Sequence, residues 1–131
     1  MSGLTRWLRF NLVGAMGMAV QLSSLAVLSR VIPRHYVWAS TVAVEMAVLH
    51  NFVWHVRFTW LDRRGQTSVR SQLRRFHFTN GAVSLLGNMA LMRVLVGDAH
   101  VPVLVANLTA SLFCATVNFY LGDTWAFAAE R

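Results

Sequence analysis

The chain has 131 residues, of which 56% are hydrophobic and only 13% charged, with a formal net charge of +7 and a mean hydropathy of +0.48. A soluble domain this small carries about a quarter of its residues charged, which argues against a soluble fold. It also assigns the positive excess to membrane orientation and anionic headgroups rather than to nucleic acid. A single cysteine, Cys114, excludes an internal disulfide and a cysteine-cluster metal site.

Arg6 and Arg9 precede a run from Phe10 to Ser29 without Lys, Arg, Asp or Glu. A span across a hydrocarbon core of about 30 Å needs roughly 20 apolar residues, and the run predicts a first membrane helix at 8–30. A cleaved signal peptide has a similar beginning, but this run is long and has a counterpart in mid-chain. Gly14, Gly17, Gln21, Ser23 and Ser24 lie within it, and Pro33 marks a short outer loop.

The second helix is expected at 36–57. Ala39, Ala43, Ala47 and Asn51 recur every four residues, placing small side chains on one face where backbones can approach closely. Glu45 is the one carboxylate in the span. It costs a few kcal/mol there unless it faces the interior, finds a partner such as Gln21, Asn88 or His50, or stays protonated. His50 and His55 are five residues apart with no second pair of ligands, so no metal or other cofactor is expected.

The hydrophilic stretch from Leu61 to Arg74 reads as a basic loop; Val69, Leu73 and Phe76 could extend the next helix as an interfacial turn or two. The third helix is expected at 72–96, with Asn80, Gly81, Ser84, Gly87 and Asn88. The fourth lies in the uncharged run from Ala99 to Gly122 and carries Ala106, Ala110, Cys114 and Asn118. Close packing of helices two and four through the two small-residue faces is expected. Asn107-Leu108-Thr109 has the form of a glycosylation sequon, but it falls within a span.

The chain says the same thing twice. Ala39, Ala43, Ala47, Asn51 and Phe52 return 67 residues later as Ala106, Ala110, Cys114, Asn118 and Phe119. Phe58-Thr59-Trp60 is answered by Trp125-Ala126-Phe127, Arg9-Phe10 by Arg75-Phe76, Gly14 by Gly81 and Gln21 by Asn88. The expected fold is therefore an all-α membrane protein, one integral-membrane domain over 1–131. Its four transmembrane helices form two hairpin repeats, 8–60 and 74–127, joined by a cytoplasmic basic loop at 61–74. Nine of the 12 arginines, among them Arg57, Arg63, Arg64, Arg70, Arg74 and Arg131, fall on the side of the termini and the loop, against Arg30, Arg34 and Arg93 on the other. The positive-inside rule places both termini in the cytoplasm, and two spans per half make the repeats parallel.

The residues that need explaining are polar. Asn51 and Asn118 belong to the repeated framework; an amide there can cap carbonyls, cross-link helices or orient a headgroup. Arg57 offers a planar fork to a phosphate, and with Arg9, Arg74 and Arg75 it could form an anion site at the cytoplasmic leaflet. Topology and lipid contact explain the same arginines. The aromatic codas read as interfacial anchors. No nucleophile–base pair, carboxylate pair or phosphate-cradling glycine loop is visible, so no enzymatic activity is expected.

Arg9-Phe10 with Gly14 and Gly17, Asn51-Phe52 through Phe58-Thr59-Trp60, and their second copies resemble the GtrA family of small four-span bacterial membrane proteins. The family coda runs from Asn-Phe through basic residues to Trp-Thr-Phe; here the first copy swaps the aromatic order and the second has Asp123 where a basic residue is common. The resemblance implies a multi-pass protein of the bacterial cytoplasmic membrane, active in cell-surface polysaccharide synthesis. It would move a polyprenyl-phosphate-linked sugar across the bilayer. Arg9, Gln21, Glu45, Asn51, Arg57, Arg75, Asn88 and Asn118 are the candidate substrate-binding residues, and four helices offer so narrow a path that a homodimer or a lateral groove is expected. Glu45 opposite Leu112, and Arg57 opposite Thr124, make the first copy the expected place for the headgroup. The alternatives are a membrane scaffold that recruits a glycosyltransferase through the basic loop, and a small drug or ion exporter.

Overall fold

The computed structural model describes residues 2–128, apart from the side chains of Tyr36, Val37, Val103 and Leu104. Arg131, counted above among the cytoplasmic arginines, lies outside the described residues. The described residues form helices and short connections, in two compact units divided between Arg64 and Gly65.

In the first unit, α1 (Gly3–Val31) begins where Ser2 caps it, accepting a hydrogen bond from the Thr5 amide at 3.3 Å. Its 29 residues rise roughly 43 Å, more than a hydrocarbon core requires. Arg6, expected ahead of a helix at 8–30, therefore sits inside the first turns of α1 with Arg9. A tight turn, with the Ile32 amide bonded to the Leu28 carbonyl at 2.8 Å, leads to α2 (Tyr36–Trp54). A π-helical turn, His55–Thr59, continues α2 and is closed by the Trp60 amide on the His55 carbonyl at 2.8 Å. A 3-10 turn, Leu61–Arg63, follows.

In the second unit the helix begins at Val69, so the basic segment is shorter than expected and its last part is helical. α3 (Val69–Ala82), a π turn (Val83–Gly87), α4 (Asn88–Met92) and a second π turn (Arg93–Asp98) make one continuous rod. α5 (Val103–Leu121) runs into the π turn Gly122–Ala126, closed by the Phe127 amide on the Gly122 carbonyl at 2.9 Å. Among the described residues three helices are long and apolar enough to cross a membrane: Gly3–Val31, Val69–Asp98 and Val105–Ala126, with mean hydropathies of 1.7, 1.2 and 1.2.

Burial runs opposite to that of a soluble protein. Large apolar side chains such as Leu8, Leu12, Met18, Leu22, Leu85, Leu86, Leu112 and Phe113 are exposed, while the buried positions along the middle of α2 and α5 are small, Ala39, Ala43, Ala47, Ala106, Ala110 and Cys114, and the buried aromatics Phe10, Trp60, Phe76 and Phe127 lie at the helix ends. This is the pattern of helices solvated by lipid, where outward Leu gains nothing by burial and small residues let backbones approach. The two small-residue stripes are buried within their own hairpins. α2 lies along α1, with the Asn51 carboxamide seated against Gly17; a Cβ at Gly87 would stand 3.1 Å from Cys114 Sγ on α5.

Buried positions and helix bounds in the two units recur at two spacings. Buried Arg6, Phe10 and Val13 correspond to buried Gln72, Phe76 and Thr79, an offset of 66, whereas α2 and its π turn correspond to α5 and its π turn at 67. A π turn holds one residue more than the α-helical path, and one lies at Val83–Gly87.

Candidate functional site

Each hairpin is closed at its arginine-rich end by an aromatic collar. The last carbonyls of a helix have no intrahelical partner and favour a nearby cation. In the first unit Arg9 supplies it, donating to the Phe58 carbonyl at 2.9 Å with its guanidinium 4.6 Å over the Phe58 ring. Beneath it Phe10 stacks on His55 at 4.8 Å and meets Trp60 edge-on at 6.0 Å. His55 is 2% exposed, and its Nδ1 lies 3.0 Å from Thr59 Oγ1; the ring is part of this packing. Arg6 pairs with Asp62 at 2.6 Å, tying the start of α1 to the turn after α2.

The second unit has the same collar in looser form. Phe76 and Phe127 meet at 5.7 Å. Arg75 points to the Trp125 carbonyl at 3.4 Å, with its guanidinium 5.9 Å from the indole centroid. The Thr67 hydroxyl donates to the Ala128 carbonyl at 3.0 Å. Beside the collar an open cleft is lined by Ser71, Arg74, Arg75 and Trp125. Ser71, Arg74 and Arg75 share one helical face, being three and four residues apart.

Within the rods, polar groups gather where the helices touch. Asn118 Nδ2 donates to Ser84 Oγ at 3.1 Å. Asn118 Oδ1 and Asn88 Oδ1 are both buried with no hydrogen-bond partner among the described residues. In the first unit the corresponding positions are Asn51 against Gly17, with Asn51 Oδ1 3.4 Å from His50 Nδ1, and a half-buried Gln21. Glu45 lies off the small-residue stripe of α2. It is exposed on the side of α2 opposite Ala43 and Ala47, because two residues along a helix turn a side chain by about 200°. Arg57 is exposed on the π turn.

Of the eight candidates, Asn88 and Asn118 lie in the second hairpin, each with a buried carboxamide oxygen, and Asn51 and the half-buried Gln21 lie in the first. Arg9 and Arg75 go to the two collars, and Glu45 and Arg57 to exposed faces. Ser84, Ser71 and Asp62 are the residues that sequence reasoning passed over. Ser84 had a signal, since it stands 67 residues after Gly17 as Asn118 does after Asn51. Asp62 and Ser71 had none beyond lying in the basic segment. Among the described residues no group of three His, Cys, Asp or Glu side chains is arranged to hold a metal ion.

The family model described as GtrA/DPMS, transmembrane domain, matches residues 9–127. A search of curated proteins returns no match.

Proposed function

The chain belongs to the GtrA/DPMS transmembrane-domain family, a membrane-protein family tied to the handling of lipid-linked sugars, and we propose that it translocates a polyprenyl-phosphate-linked sugar from the cytoplasmic to the outer leaflet. In this reading α2 is the fourth span, and the two hairpins are parallel repeats with both termini in the cytoplasm. The membrane is the bacterial cytoplasmic membrane, and the product serves cell-surface polysaccharide synthesis.

The observation that carries the reading is the pair of buried, unpartnered carboxamide oxygens of Asn88 and Asn118. A buried acceptor without a donor costs about 1–3 kcal/mol, and lipid tails cannot supply one. Sugar hydroxyls can. The exposed apolar side chains leave the prenyl tail in lipid beside the helices, while Arg74 and Arg75 at the open cleft offer charge to the phosphate.

The test is reconstitution of the full chain in vesicles, with accessibility of a fluorescent polyprenyl-phosphate sugar to a membrane-impermeant quencher followed in time. Wild-type protein should exchange the lipid between leaflets, and Asn88→Leu with Asn118→Leu should slow exchange at least tenfold while retaining the fold. No exchange above protein-free vesicles by the wild-type chain sinks the reading.

A further inference from the structure

The repeat is broken at its arginine-rich end. Thr5, Leu8, Arg9 and Phe58 in the first hairpin correspond to Ser71, Arg74, Arg75 and Trp125 in the second. At these four positions the first hairpin has one guanidinium, held at 2.9 Å on a carbonyl. The second has two adjacent guanidinium groups, a hydroxyl and an indole around an open cleft, with Arg75 reaching its carbonyl only at 3.4 Å, the long end of hydrogen bonding. Phe78 meets the Trp125 ring edge-on at 6.4 Å and braces it, and the indole is 42% exposed.

Resting on the headgroup-handling reading, we propose that this cleft is a binding site for a phosphorylated sugar, used by the second hairpin alone. Arg74 and Arg75 present two planar forks to the phosphate oxygens, the geometry for which arginine is preferred over lysine. The Ser71 hydroxyl donates a further hydrogen bond, and the indole face lies beside them to pack against the C–H face of a pyranose. The first hairpin's collar serves to close its helix end. This places headgroup capture in the opposite copy to the one its carboxylate and Arg57 suggest.

The phosphate can come from a lipid or from solution, and the experiment separates the two. The full chain in phosphatidylcholine nanodiscs is titrated with polyprenyl monophosphate in the bilayer in one arm, and with glucose 1-phosphate in solution in the other. Binding is read by native mass spectrometry and by the fluorescence difference between wild type and Trp125→Phe. Arg74→Leu, which installs the first hairpin's residue at an exposed position, should weaken binding at least tenfold in whichever arm binds. Arg74→Lys should fall between, and Arg64→Leu should match wild type. Equal affinity of wild type and Arg74→Leu in both arms overturns the site, as does an equal loss in Arg64→Leu. Arg74-dependent binding by a protein that exchanges no lipid sinks translocation and leaves the site standing. Unchanged binding in Arg74→Leu with exchange intact does the reverse.

Discussion

Gly17 and Gly14 make a paired test of how the first hairpin is held together. A Cβ at Gly17 would lie inside van der Waals contact of the Asn51 carboxamide, whereas one at Gly14 would meet nothing within 4 Å. Alanine gains about 0.5–1 kcal/mol over glycine in a helix interior, and both substitutions share that term. At Gly17 overpacking opposes it by about 1–3 kcal/mol, because α1 must back away from α2 or Asn51 must leave its seat. Gly17→Ala should therefore be about 1–3 kcal/mol less stable than Gly14→Ala. Detergent-denaturant unfolding of the full chain in mixed micelles, followed by circular dichroism, measures the difference. Asn51→Ala removes the obstructing amide, so the double substitution should recover most of the loss, a coupling read from a double-mutant cycle. Equal stability of the two alanine variants, or no coupling to Asn51, would refute the seating of Asn51 on Gly17.

Arg6→Met leaves Asp62 without its 2.6 Å partner and should cost about 1–2 kcal/mol, less than a fully buried pair because Asp62 is largely solvated; faster protease cleavage near residues 61–68 is the readout. Ser84→Ala removes the hydroxyl that accepts from Asn118 and should lower stability by only about 0.6 kcal/mol, the mean for interhelical hydrogen bonds in membranes; a loss above about 2 kcal/mol in the same unfolding assay would mean a larger structural role. Cys114, buried against the Gly87 face, should react with a maleimide only after denaturation. In a Cys114→Ser background, single cysteines at Gln66 and Ser2 should be labelled from the cytoplasmic side and one at Arg34 from the outside; the reverse pattern would overturn the assigned orientation.

The apolar runs, the four-residue stripes and the duplication are visible in the linear chain because periodicity says which residues share a helix face. It does not say what that face touches. In lipid, the outward side of α2 is as apolar as its inward side, so hydropathy could not decide that Ala39, Ala43 and Ala47 lie along α1, or that Glu45 points away from it. The π turns were equally hidden, since a one-residue change of register leaves composition unaltered. The arginines show the division most clearly. Their number and placement along the chain gave an expected orientation and an expected anion site. Only the folded hairpins decided that Arg9 is spent on a helix end, while Arg74 and Arg75 line an open cleft, because packing decides which carbonyls and rings come beside each guanidinium.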